Sequence, residues 1–285
     1  MQSAMAAPRI RIFSDLHFGD RRSTLDRLAA LDPLLAGADE IVLNGDSLDT
    51  VIPGHAPRLA ALRDHFAASS RAVHWISGNH DPDISAEAEL LLAEGRVWIT
   101  HGDVLFDGIA PWSHHAPELA RLLANVPPPP PGSPAASNAL ADRLRRHRSA
   151  CAALMASPAF IAPGTLPRPL RLLRTLFPPR RLLAILRAWR DTPRLAIALA
   201  RRHHPQARVV VIGHTHRPGV WRPRTETDPW VINTGAFARP LGGAFVELHG
   251  ERVLVRRIVR RAGAFYPGRT LADFTLPPPP SPAPL

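Results

Sequence analysis

Val209-Val210-Val211-Ile212-Gly213-His214-Thr215-His216 is a run of four β-branched residues that stops on a glycine and two histidines one residue apart. Such a run, short and bounded by glycine, reads as a buried strand with a polar cluster at its carboxyl end. The same pattern recurs upstream. Arg9–Phe13 runs into Ser14-Asp15-Leu16-His17, and Ile41–Leu43 into Asn44-Gly45-Asp46. Ala72–Ile76 runs into Gly78-Asn79-His80-Asp81, and Arg96–Thr100 into His101-Gly102-Asp103, with a further strand expected over Val104–Phe106. Helices are expected between them: one capped by Ser23 with Leu25, Leu28, Leu31 and Leu35 at helical spacing, one over Arg58–Phe66 and one over Ser85–Glu94. The alternation predicts an α/β fold. In α/β sheets, sites gather at the carboxyl ends of strands.

The 285 residues allow one large domain or two small ones. At 45% hydrophobic and 21% charged, the composition excludes a disordered chain and a membrane bundle. A single cysteine, Cys151, excludes a disulfide framework and a thiolate zinc cluster. No apolar run approaches the roughly 20 residues of a spanning helix, and no secretory signal is legible over Met1–Arg11. A cytoplasmic protein is expected.

The sequence divides by texture. Residues 1–110 and 206–270 carry the strand endings and form the expected core. Residues 111–205 form an insertion between His101 and His214, with a proline-rich loop at 125–137 and short basic helices broken at Pro178-Pro179 and Pro193. Residues 271–285 read as a proline-rich disordered tail. The net charge of +11, all from arginine, is unevenly placed. Between Ala116 and Pro205 stand 15 arginines against Glu118, Asp142 and Asp191, which exceeds the charge of the whole chain. A localised basic surface calls for an acidic partner: a phosphorylated substrate, an anionic membrane surface or, less in keeping with its few aromatics (Phe160, Phe177, Trp189), nucleic acid.

The polar clusters share a chemistry. In extended chain, residues i and i+2 point the same way, so Asp15 with His17, and His214 with His216, can each face one metal ion. Asp46, Asn79 and His101 add donors at neighbouring strand ends. Mixed His/Asp/Asn ligation suits Mn, Fe, Zn or Co. Seven ligands are too many for one ion and suffice for two that share a carboxylate.

The order Asp15-x-His17, Gly45-Asp46-x-x-Asp49, Gly78-Asn79-His80-Asp81, His101, Gly213-His214-x-His216 resembles the calcineurin-like metallophosphoesterase superfamily. The resemblance implies two mixed β-sheets sandwiched by helices, with the insertion as a helical cap. It implies a dinuclear centre, Mn most readily, in which Asp15, His17 and His216 hold one metal, Asn79, His101 and His214 the other, and Asp46 bridges. It implies hydrolysis of a phosphate ester or pyrophosphate by a hydroxide shared between the metals. His80 would be the catalytic histidine beside the leaving group, oriented by Asp49.

The insertion is expected as a lid, as an ordinary helical subdomain, or as a basic amphipathic surface lying on anionic membrane, with Leu182, Ile185 or Leu186, and Trp189 on its apolar side. His101-Gly102-Asp103 and Gly213-His214-Thr215-His216-Arg217-Pro218 around a basic insertion are also similar to UDP-2,3-diacylglucosamine pyrophosphatases, peripheral membrane enzymes of lipid A synthesis that usually carry arginine where this chain has His80. A nucleic-acid phosphodiesterase and a non-catalytic binding module on the same fold are the remaining alternatives.

Overall fold

The computed structural model describes residues 7–50, 54–157 and 179–278. Two mixed sheets face each other. The first holds six strands in the order β11-β10-β9-β1-β2-β3, the second five in the order β4-β5-β6-β8-β7. In the first, β1 (Arg9–Phe13), β2 (Glu40–Asn44) and β3 (Ala72–Ile76) are parallel, while β9 (Ala244–His249), β10 (Arg252–Arg261) and β11 (Ala264–Thr275) add antiparallel strands to the β1 edge. In the second, β5 (Val97–Thr100), β6 (Val209–Ile212) and β8 (Trp230–Asn233) are parallel, flanked by antiparallel β4 (Glu89–Leu92) and β7 (Gly219–Trp221).

The two-residue period of the strands builds the layers. Ile10, Ile12, Val42 and Ile76 point from the first sheet into the space between the sheets, where they meet Val97, Ile99, Val209, Val211 and Ile232 from the second. The alternate residues face outward. Phe13, Ile41 and Leu43 pack under α1 (Asp32–Leu35), its preceding 3₁₀ turn Leu28–Leu31, and α2 (His55–Ala67). Trp98, Val210, Ile212 and Val231 pack under two helices of the insertion.

The insertion carries α3 (Ala116–Asn125), α4 (Pro134–Ser137), α5 (Ala139–Met155) and α6 (Pro179–His203). The Asn138 side chain caps α5 by accepting from Leu140 and Ala141 N–H. Leu140 and Leu144 of α5, and Ala188, Ala196 and Ala200 of α6, lie on the outer face of the second sheet. A stripe of small residues at four-residue spacing lets the long α6 approach that face closely.

Several expectations need correction. Ser85–Glu94 is not a helix: Glu89–Leu92 pairs antiparallel with β5 as an edge strand. Val104–Phe106 is not a strand: Asp103–Leu105 is a 3₁₀ turn. The helix expected from Ser23 shrinks to the turn at Leu28–Leu31 and the four residues of α1. Pro193 does not break α6, which runs through it. The tail does not begin at residue 271, because β11 continues to Thr275 and Leu276 is buried. The break at Pro178, the aromatics Phe160 and Phe177, and the last residues of the tail lie outside the described residues.

Candidate metal centre

Five parallel strands deliver their carboxyl ends to one place. Asp15 follows β1, Asp46 follows β2, Asn79 follows β3, His101 follows β5 and His214 follows β6. The two sheets are tied there by Asn44, whose amide donates to the Thr100 carbonyl at 2.9 Å and the Val211 carbonyl at 3.4 Å. Backbone bonds knit the loops: Asp15 N–H to Gly45 O (3.0 Å), His17 N–H to Asp46 O (2.9 Å) and Gly213 N–H to His101 O (2.8 Å).

The side chains do not converge by strand alternation. Asp15, His17, Asp46, His214 and His216 all have φ between 45° and 64°, the left-handed region, which costs an L-residue roughly 1–2 kcal/mol. Five such residues at one spot are strained backbone concentrated where side chains must be aimed. Gly45 is left-handed as well (φ 78°), and a Cβ there would meet the His101 ring 2.5 Å away. A Cβ on Gly213 would run into Asp15 Oδ2 and Ser14 Oγ. The kinks part His214 from His216, which strand alternation alone would leave on one side. His216 Nε2 lies 3.1 Å from both His17 Nε2 and Asp15 Oδ1, while the His214 ring sits 5.2 Å from that of His101.

Two groups of donors result. Asp15, His17, Asp46 and His216 each offer one ligand atom, all within 4.8 Å of one another. On the other side, His101 Nε2 lies 3.2 Å from Asn79 Oδ1 and 3.3 Å from Asp46 Oδ2. Backbone carbonyls set the ring orientations: His101 Nδ1–H donates to Asn44 O and His214 Nε2–H to Ile109 O, both at 3.0 Å. That leaves His101 Nε2 and His214 Nδ1 as the nitrogens through which the two rings could meet a cation. Asp15 Oδ1 is buried without a hydrogen bond of acceptable geometry. An orphaned carboxylate oxygen beside two imidazoles and a second carboxylate fits a divalent cation, and the absence of thiolates fits Mn, Fe, Zn or Co.

The electrostatics agree. Burial pushes His17 and His214 down to about 4, so both are neutral donors at physiological pH. Burial raises the Asp46 carboxyl, but His101, His80 and His17 outweigh it and hold Asp46 well below the usual range. Burial likewise opposes charge on His101, and Asp46 and Asp15 overcome it; a cation bound by His101 displaces that proton.

His80 stands apart from the ligands. Its Nδ1 is 3.2 Å from Asp49 Oδ2, its backbone N–H donates to Asp46 Oδ1 at 2.8 Å, and its ring packs 5.1 Å from that of His17. Burial lowers its basicity, but Asp46 and Asp49 raise it to about 9, so it is a cation. The His80 side chain is 25% exposed and Asp49 2%: the imidazole can be reached and its partner cannot.

Asp81, the last residue of the Gly78–Asp81 cluster, holds two loops together. Its Oδ1 accepts from Asp46 and Gly78 N–H (both 2.9 Å), its Oδ2 from Ser47 (2.7 Å) and Leu48 (3.2 Å). One carboxylate thereby clamps the Gly45–Leu48 loop to the Gly78–Asp81 loop. Asn233 does the same for the last loop, donating to Gly213 O (2.7 Å) and Thr215 Oγ1 (2.9 Å). Nothing in the sequence around Asn233 marks it, because its role depends on β8 lying beside β6. The insertion reaches the site through α6: Trp189 Nε1–H donates to Thr215 O at 3.0 Å, and Arg217 lies over the Trp189 ring.

The calcineurin-like phosphoesterase family model matches residues 8–218, a span that contains every residue of both donor groups. No curated protein matches the chain. Among solved structures, a predicted phosphoesterase from Streptococcus pneumoniae TIGR4 is 16% identical (95% of this chain and 99% of that one, TM-score 0.40). A dimetal phosphatase from Danio rerio is 15% identical (95% and 99%, TM-score 0.44). Vps29 from Chaetomium thermophilum is 12% identical (95% and 100%, TM-score 0.47).

Proposed function

The chain belongs to the calcineurin-like phosphoesterase family, and we propose that it is an active metal-dependent hydrolase of a phosphate ester or pyrophosphate. The observation that carries this reading is the four-residue cluster Asp15, His17, Asp46 and His216 with the cationic His80–Asp49 pair beside it. A non-catalytic module would have no use for a quarter-exposed imidazolium aimed past a buried carboxylate.

In this reading Asp15, His17, Asp46 and His216 hold one divalent cation, and Asp46, Asn79, His101 and His214 a second. When bound, the ions supply Lewis acidity toward a phosphoryl oxygen and toward water. The chain's own residues do the rest. Water forms the new P–O bond, and the old one breaks with its electron pair left on the departing oxygen. His80, held through Nδ1 by Asp49, presents its other N–H to that oxygen and protonates it. Asp49 fixes the ring and favours the charged form that has a proton to give. Neutral His17 and His214 each keep a lone pair that a cation could take.

The test is a hydrolysis panel on the purified chain with Mn²⁺: an aryl phosphomonoester, an aryl phosphodiester and a nucleotide-sugar pyrophosphate with its diacylated form. Turnover of at least one that is abolished by chelation supports the reading. A chain that binds two metals yet turns over none sinks it in favour of a binding module.

One observation favours a second, narrower reading, in which the substrate is amphiphilic and the protein works against an anionic membrane. Leu182, Leu183 and Leu186 are 37%, 50% and 47% exposed on the first half of α6, among the exposed Arg180, Arg187, Arg190 and Arg194. No helix among the described residues is long and apolar enough to cross a membrane.

A further inference from the structure

Arg22 is a cation at the rim of the site that the hydrolysis reading leaves without a task. It is fixed by Asp20, in the loop that follows His17. Asp20 Oδ2 accepts from Arg22 Nε (2.8 Å) and Nη2 (2.5 Å), and Asp20 Oδ1 accepts from the Arg22 backbone N–H (2.7 Å). The same Nη2 lies 3.7 Å from Asp49 Oδ2, the atom that faces His80 Nδ1 at 3.2 Å. Neither contact uses Nη1. The exposures run opposite to those of a structural strut: the Asp20 carboxylate is 9% exposed while the arginine side chain is 44% exposed. A guanidinium held through Nε and Nη2 by a covered carboxylate, with nearly half of its side chain exposed, is prepared to meet an anion at little cost in side-chain order. Its place beside the His80–Asp49 pair puts it on the side from which the leaving group departs.

We infer that Arg22 recognises negative charge on the departing group, and that phosphoanhydrides, whose leaving group is itself a phosphate, are preferred over esters of neutral alcohols. This rests on the hydrolysis reading above. In a phosphoanhydride the scissile P–O bond breaks with its electron pair on the bridging oxygen. Water supplies hydroxide to the attacked phosphorus and a proton to solvent, and the departing phosphate gains charge beside Arg22 and the His80 N–H.

The test uses the full chain loaded with Mn²⁺, as wild type, Arg22→Gln and Arg22→Lys, on three substrates. UDP-glucose has a phosphate leaving group. Thymidylyl-thymidine has a neutral alcohol that needs a general acid. Bis(p-nitrophenyl) phosphate needs none. Loss of a charge-assisted contact is expected to lower kcat/KM of Arg22→Gln on UDP-glucose about 10- to 100-fold. The loss on thymidylyl-thymidine is expected to be several-fold smaller, and Lys should restore part of the rate on UDP-glucose alone. Equal losses on UDP-glucose and thymidylyl-thymidine, with bis(p-nitrophenyl) phosphate least affected, would mean that Arg22 acts through Asp49 and His80, and would overturn the inference. So would a wild type that cleaves thymidylyl-thymidine better than UDP-glucose, although hydrolysis itself would then stand. A wild type that cleaves none of the three fails at the earlier reading. Unfolding midpoints of both variants guard against loss of fold, and the Lys variant carries the test if Gln destabilises the loop.

Discussion

The Asp46 carboxylate has one oxygen on the His80 backbone N–H and the other between two imidazoles, 3.3 Å from His101 and 3.8 Å from His17. Those imidazoles belong to different donor groups, so a single neutralising change should empty both. Asp46→Asn is expected to lower metal content at both positions and to reduce turnover to background; full metal content with unchanged rate would refute the shared role. His80 makes the opposite prediction. His80→Ala should retain its metals and lose roughly 10²–10⁴ in rate, with a smaller loss on nitrophenyl substrates, whose leaving group needs no proton. Metal loss in that variant would make His80 a ligand. Asp81 is a third case, in which position matters more than charge. Asp81→Asn would set an amide N–H₂ against backbone donors that now share a carboxylate. Each buried donor left unpaired costs about 1–3 kcal/mol, so the denaturant midpoint should fall and metal affinity should fall with it. A variant with unchanged midpoint would remove Asp81 from the clamp.

At the scale of elements, legibility followed locality. β3 was read as Ala72–Ile76 and found there, and β1 as Arg9–Phe13, because β-branched runs with glycine or proline nearby state their own ends. β4 was hidden because Glu89-Leu90-Leu91-Leu92 has helical composition. Its pairing with β5, and the contacts of Glu89 with Trp98 Nε1–H at 2.8 Å and His204 Nε2 at 2.9 Å, hold it extended. β11 was hidden because Pro267 and Gly268 interrupt its pattern, and the irregular register opposite Arg256 and Ile258 accommodates them. Pro193 misled in the other direction. It denies the Trp189 carbonyl an N–H, yet α6 continues because Ala188, Thr192, Ala196 and Ala200 are buried along one face. The donors were legible as residue types at strand ends; their division into two groups was not legible from alternation, because it depends on left-handed kinks. The α6 stripe gives a prediction of its own. Ala196 is 0% exposed against the second sheet, so Ala196→Leu should overpack that face and cost about 1–3 kcal/mol, read as a lower thermal midpoint. An unchanged midpoint would mean that α6 is not seated there.

Across the whole molecule, the two sheets are joined at one end by Asn44 and by the loops of the candidate metal centre, and the insertion covers the outer face of the second sheet. The charge of the chain follows this division, with its excess in the insertion. Within α6 two side chains turn to the protein rather than outward, one of them Trp189, which the sequence reading put on the apolar side. Trp189 is turned to the Thr215 carbonyl, and Arg181 donates to the Trp112 carbonyl at 2.9 Å. The exposed residues of α6 include Leu182, Leu183 and Leu186 with Arg180, Arg187, Arg190 and Arg194, of which Arg190 is paired with Asp191. On an anionic surface each arginine near the headgroups adds on the order of 1 kcal/mol, and the leucines add apolar burial. The chain is therefore expected to float with anionic vesicles at low salt, to dissociate as salt rises through the range in which the Debye length shortens, and to bind neutral vesicles far less. Arg180, Arg187 and Arg194 replaced together by Gln should weaken adsorption, and Leu183→Ser with Leu186→Ser should weaken it separately and with less salt dependence. Hydrolysis of a small soluble aryl phosphoester measures the metal centre at the same time, so a loss of adsorption can be told from a loss of fold. Equal flotation with neutral and anionic vesicles would detach the arginine excess from any lipid surface and leave α6 as a covering for the second sheet.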